Sequence, residues 1–192
     1  MPYYTYKGAL GLIGVNTSEP KDGTYEYYKV EATDNITDEN LVIPGEVNGI
    51  PVTNIERIHN SAGSMDWDNY NKNIKSITLG EGVENLSNNA LAYTPDLANV
   101  NLPSTLKTMG KNTFSRNFWE DGNKKLTIKY NGTGGDDTSD WEKLVAASDA
   151  KWAGGLAAGT TIECTNGSYT LTDVDTSIRQ DLQWVWTPNP TN

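Results

Sequence analysis

Residues 74–93, IKSITLGEGVENLSNNALAY, align without a gap on residues 97–116, LANVNLPSTLKTMGKNTFSR, at an offset of 23. Ile77 falls on Val100, Leu79 on Leu102, Val83 on Leu106, Leu86 on Met109 and Leu91 on Phe114. The matched positions are apolar and those between them polar, the pattern expected when each unit buries one edge and stacks on its neighbour. Within each unit, Ile77-Thr78-Leu79 or Val100-Asn101-Leu102 predicts a short strand with one side buried. A turn at Gly80-Glu81-Gly82, or at Pro103-Ser104, closes it.

Working outward, a weaker copy precedes these units at Leu41 to Ile58, LVIPGEVNGIPVTNIERI. Its strand Val42-Ile43 is followed by Pro44 and by an Asn48-Gly49 turn, and Val52 and Ile55 match Val83 and Leu86 at a common offset of 31. A fourth strand is predicted at Leu126-Thr127-Ile128, 26 residues after Val100-Asn101-Leu102, which implies a three-residue insertion. Three to four coils are expected, enough for a stable stack.

These stretches, LVIPGEVNGIPVTNI, ITLGEGVENLSNNAL and VNLPSTLKTMGKNTF, resemble the BspA-like bacterial leucine-rich repeats. Units of that family read as a strand, IP or LP, a Val-x-x-Ile segment and an Ala-Phe pair. The resemblance covers residues 41–130 and departs from the pattern at Ala90-Leu91 and Thr113-Phe114, while the first unit lacks the pair near His59. It implies a mainly β, short leucine-rich-repeat solenoid and a non-catalytic protein that works by presenting a surface. Members of the family are commonly exported adhesins.

The flanks read as caps of a single domain: residues 1–40 as a β cap, 41–130 as repeats, and 131–192 as a C-terminal helix, hairpin and tail. Tyr25 to Val30, YEYYKV, follows Asp22-Gly23 and is expected to pair with Ala9 to Val15. Ser139-x-x-Glu142 reads as a capping box opening a helix whose apolar face is Trp141, Leu144 and Val145, ending near Ser148. Asn166-Gly167 predicts a hairpin between Thr160 to Thr165 and Ser168 to Thr172, with Ile162, Cys164, Tyr169 and Leu171 inward.

A net charge of -10 disfavours nucleic-acid phosphates and anionic lipid as partners. No apolar run reaches the 18 or so residues needed to span a membrane. The lone Cys164 reads as a small buried hydrophobe and the lone His59 as a loop residue, so neither nucleophile with base nor zinc-ligand spacing is expected. Asp136, Asp137 and Asp140, in GGDDTSD, fit no calcium loop and suit a helix N-terminus. No catalytic residue, metal or cofactor is expected.

Recognition is the remaining function. Two insertions fall at comparable places, SAGSMDWDNYNKN at 61–73 and NFWEDGNK at 117–124, so Trp67, Tyr70, Phe118 and Trp119 are expected to share one edge. Aromatics bordered by Asp and Asn suit a protein hot spot or stacking on a sugar ring, and equally suit folding back over the edge. Tyr3, Tyr4 and Tyr6, with Trp184 and Trp186, are candidates either for capping the repeat ends or for docking onto an assembly, a homo-oligomer included.

The segment GALGLIGV at residues 8–15 follows YYTYK and is glycine-rich, unlike a signal peptide. The expectation is therefore a bacteriophage virion component, a capsid decoration or host-attachment protein, cytoplasmic before assembly. An exported bacterial surface adhesin is the rival, and an enzyme the remote alternative.

Overall fold

The computed structural model describes residues 3–6, 9–17, 25–34, 36–59, 73–115, 125–176 and 179–191; for 3–6, 173–176 and 179–182 only the backbone path is considered. The chain is mainly β with one helix among the described residues. In order the strands are β1 (Tyr3–Tyr6), β2 (Leu10–Val15), β3 (Tyr27–Ala32), β4 (Asn40–Ile43), β5 (Glu46–Val47), β6 (Ile50–Arg57), β7 (Ser76–Leu79), β8 (Asn85–Leu86), β9 (Asn99–Leu102), β10 (Thr108–Met109) and β11 (Thr127–Tyr130). Helix α1 (Asp140–Ala147) precedes β12 (Thr161–Cys164), β13 (Gly167–Thr176) and β14 (Arg179–Pro188). No described helix is long and apolar enough to cross a membrane.

Two seven-stranded sheets form, and neither closes on itself. One runs β14-β13-β12-β11-β9-β7-β4; the other runs β1-β2-β3-β6-β8-β10, with β5 paired to β6. Consecutive units add one strand to each sheet: β7 lies parallel to β9 with Ile77 opposite Val100, and β8 parallel to β10 with Leu86 opposite Met109. The spacing of 23 read from the apolar residues is repeated by polar bonds across it. Asn101 donates to Thr78 (2.9 Å), Thr108 to Asn85 (2.8 Å), and Ser104 to Glu81 (2.8 Å). Ile55 lies opposite Leu86, keeping the offset of 31, and Ser87 donates to Glu56 across that same interval (3.1 Å).

Strand alternation turns one apolar row of the first sheet inward. Leu41, Ile77, Val100, Ile128, Ile162, Tyr169 and Trp186 are register partners in sequence across all seven strands. Ile77, Val100, Ile128 and Ile162 have no exposed surface. Burying an aliphatic side chain of this size stabilises by about 1.5–3 kcal/mol, so this row is a principal source of cohesion. A third side is built from stacked turns: Asn89 donates to the Lys111 carbonyl, Leu91 to Thr113 and Tyr93 to Ser115, all at 2.9 Å. Asn89 and Asn112, at φ of 57° and 53°, take the left-handed conformation that lets each turn swing its next two residues into the core. Ala90, Leu91, Thr113 and Phe114 are fully buried there.

The fourth strand is displaced from the sequence-based expectation. Ile128, not Leu126, lies opposite Val100, and Tyr130 opposite Leu102, so the offset is 28 and not 26. Leu126, Ile128 and Tyr130 alternate at period two and fit either register; Tyr130 decides by packing edge-on against Trp141 (5.2 Å). In the first unit, where the Ala-Phe pair is missing, buried Ile58 donates its N–H to the Ala90 carbonyl (3.0 Å).

The ends are closed by different means. β2 and β3 form an antiparallel hairpin, Leu10 opposite Ala32 and Val15 opposite Tyr27, and β3 continues its sheet parallel to β6. At the other end of that sheet α1 covers the β10 edge. Met109 donates to Ser148 Oγ and its carbonyl accepts from Asp149, both at 2.9 Å.

Ser139 caps α1 and accepts from the Glu142 N–H, but the box closes on one side only: Ser139 donates to the Asp136 carbonyl, and the Glu142 carboxylate accepts from the Tyr169 hydroxyl (2.8 Å). Asn48 and Gly49, with φ of 51° and 80°, make a two-residue hairpin turn between β5 and β6. The residues read as a tail are instead β14, paired with β13 over ten positions.

Candidate functional site

Trp67, Tyr70, Phe118 and Trp119 lie outside the described residues. The points at which the chain leaves and rejoins the stack around them are described. The first departure follows His59, whose ring packs edge-on against Tyr93 with centroids 4.4 Å apart. The second follows Ser115, whose carbonyl accepts the N–H of the same Tyr93 (2.9 Å). On return, Lys75 accepts from the Ala98 N–H and the Ala98 carbonyl accepts from Thr127, both at 2.9 Å. Both insertions therefore leave and re-enter on either side of the short crossing from Tyr93 to Ala98 that the middle unit makes without an insertion.

Trp184 and Trp186 are in contact with the core. Trp184 stacks on Trp152 (5.9 Å, 12°), which meets Trp141 (5.5 Å) and Phe114 (6.2 Å) edge-on. Trp186 lies 4.6 Å from the Tyr169 ring. Aromatic pairs at these separations contribute about 0.5–1.5 kcal/mol beyond their buried area. Tyr4 and Tyr6 lie on β1, opposite Leu12 and Leu10. β1 and β14 are each the last strand of their sheet, so both aromatic termini sit on sheet edges.

An open cleft of about 410 Å³, not singled out by the sequence, sits beside the first departure point. Glu31, Glu56, Arg57, His59 and Ser87 to Asn89 line it. β3 and β6 bring Glu31 opposite Arg57, and the two form an ion pair. Lys29 pairs with Glu56 (3.3 Å). Asn88 Oδ1 accepts from the Lys111 N–H (2.8 Å), and the buried Arg57 Nε has no hydrogen-bond partner.

Burial, seconded by the Arg57 charge, pushes the His59 imidazole down to about 4, so it is neutral at ordinary pH. A neutral imidazole carries one donor and one acceptor. The signal for this cleft lay in charged residues on consecutive outward positions of β3 and β6, which sequence reading alone cannot distinguish from a solvated sheet face.

Other titratable groups are held by their own neighbours. Asp136 accepts from the Thr138 hydroxyl and N–H (2.6 and 2.9 Å), which holds its carboxyl below the usual range. Asp140 does the same through the Thr133 N–H and hydroxyl (2.9 and 3.0 Å). No group of three or more metal-ligating side chains occurs among the described residues. Cys164 is half-buried, and burial, with Glu142 and Asp140 nearby, pushes its thiol up to about 12, far from the thiolate a nucleophile needs. Compared with protein-family models, curated proteins and solved structures, the chain matches none.

Proposed function

We propose that this chain is a non-enzymatic recognition protein of the BspA-like leucine-rich-repeat kind, a short solenoid whose binding surface is the edge around Tyr93. The observation that carries the reading is that the residues flanking both insertions, His59 and Lys75 for one and Ser115 and Thr127 for the other, bond to or pack on the same Tyr93–Ala98 crossing. Trp67, Tyr70, Phe118 and Trp119 are then the contact aromatics. The repeat reading is supported by the common spacing of 23 in strand register and in side-chain bonds. The non-enzymatic reading is supported by a protonated Cys164 and by hydroxyls and carboxylates engaged in structural bonds.

The test is co-sedimentation with bacterial cell-envelope fragments and with purified virion proteins, comparing wild type with Trp67→Ala and Trp119→Ala. Lost binding at unchanged melting temperature supports the proposal. Lowered melting with binding intact refutes it, because the aromatics then cover the edge. Periodate sensitivity of binding identifies a surface glycan, and protease sensitivity a protein neighbour.

A second reading, assembly through the aromatic termini, is favoured by the position of β1 and β14 as edge strands. An edge strand offers unpaired backbone groups to another chain. Mass that rises with concentration in analytical ultracentrifugation supports this reading.

A further inference from the structure

We propose that the cleft between β3, β6 and the Ser87–Asn89 turn binds a neutral, hydroxyl-rich ligand, a single sugar ring of a glycan. The site stands on described residues alone and does not require the two insertions to bind anything.

The charges argue for neutrality. Each carboxylate in the cleft already has its own cation, Glu31 with Arg57 and Glu56 with Lys29, and Ser87 donates a further bond to Glu56. An ionic ligand would have to break one of these pairs and leave a charge uncompensated. The capacity left over is of mixed donor and acceptor type. Asn88, with Oδ1 taken by Lys111, keeps the Nδ2 donors, and neutral His59 offers one donor and one acceptor, while Arg57 Nε is buried and does not reach the cleft. Neighbouring hydroxyls on a sugar ring are both donors and acceptors, and match such a set where a carboxylate, phosphate or ammonium would not.

The volume of about 410 Å³ lies within the range of roughly 300–1,000 Å³ seen for small-ligand sites. Those sites are mostly apolar. A polar lining of this kind selects against apolar ligands and for one that carries hydroxyls over its whole rim.

The test is an amide-resolved NMR titration of the full chain with N-acetylglucosamine, methyl α-glucopyranoside and methyl β-galactopyranoside, with glucuronate as the anionic comparison. The expected result is saturable shifts from at least one neutral sugar, centred on the amides of Arg57, His59 and Ser87 to Asn89. Arg57→Lys keeps a cation for Glu31 and leaves the exposed donors of Asn88 and His59 in place, so it is the control. Asn88→Asp keeps the acceptor for Lys111 but removes the Nδ2 donors. Asn88→Asp is expected to weaken binding about tenfold, the worth of one good hydrogen bond, and Arg57→Lys to bind within about twofold of wild type, each with melting within about 3 °C of wild type. Should Arg57→Lys fail to fold, Asn88→Asp carries the test. Binding of glucuronate alone, shifts centred elsewhere, or no saturable shift with any neutral sugar up to roughly 100 mM overturns the proposal.

Discussion

Lowering the pH from 7 to 5 should weaken the fold through one residue, His59, before any carboxylate contributes. Its imidazole is held at about 4 against an ordinary 6.5, first because burial disfavours the cation and second because Arg57 stands beside it. Between those values the unfolded chain binds a proton that the folded chain does not, so stability falls as pH falls. The contribution is complete above 6.5 and lost by about 4. At about 1.36 kcal/mol per pH unit the full depression corresponds to roughly 3 kcal/mol. The ring is partly open to water in the cleft, and screening reduces the expected loss to about 1–2 kcal/mol.

His59 is the single histidine, so this window is almost free of other side chains. Asp136 and Asp140, held below the usual range by Thr138 and Thr133, give up their contributions only at lower pH. Urea unfolding followed by tryptophan fluorescence at pH 7, 6 and 5 measures the slope, and His59→Gln should flatten it. The imidazole Hε1 resonance should titrate near 4. A midpoint near 6.5, with stability independent of pH above 5, would refute the burial argument.

The core makes further predictions. Phe114→Ala should lower the unfolding free energy by about 3–5 kcal/mol, since Phe114 is fully buried and meets Trp152, and a near-neutral result in denaturant titration would show that its turn does not face the core. Gly45→Ala should cost about 3 kcal/mol or more, because a Cβ there would sit 1.6 Å from the Glu81 carbonyl oxygen of the next unit; wild-type melting would contradict that close approach. Trp184→Ala should lower the melting temperature by about 4–10 °C through loss of the stack on Trp152, and should do so without altering binding at the Tyr93 edge.

The parts of the fold visible in the sequence are those in which one residue type carries the register unambiguously. Ile77 with Val100 and Ile55 with Leu86 are such pairs, because polar residues on both sides leave one alignment. Leu126, Ile128 and Tyr130 offer two, and the choice is made by contact with Trp141, which is distant in sequence. β14 was hidden for another reason. Its inward residues are Trp184 and Trp186, and the sequence between the two strands, Ser177-Ile178, carries no Asn-Gly or Asp-Gly signature to announce a hairpin.

For the candidate sites the same division holds. The spacing of the insertions is a sequence property, and the points where the chain departs and returns, at His59 and Ser115 and at Lys75 and Thr127, follow it. The cleft is not, because it exists only once β3 brings Glu31 opposite Arg57, across a gap that no local pattern spans.

One consequence of the shared spacing concerns length. Ile77 with Val100 in one sheet, Leu86 with Met109 in the other, and Ser104 with Glu81 at the turn all keep the same interval of 23. A duplicated segment of that size would meet the same partners on every side and raise the column by one strand spacing, roughly 4.8 Å. Where the interval differs, 36 from Leu41 to Ile77 and 28 from Val100 to Ile128, the same inward row is kept, so the connections between strands take up the extra residues. The height of the molecule is thus adjustable in whole storeys, and the distance between its two ends can be set by copying rather than by redesign.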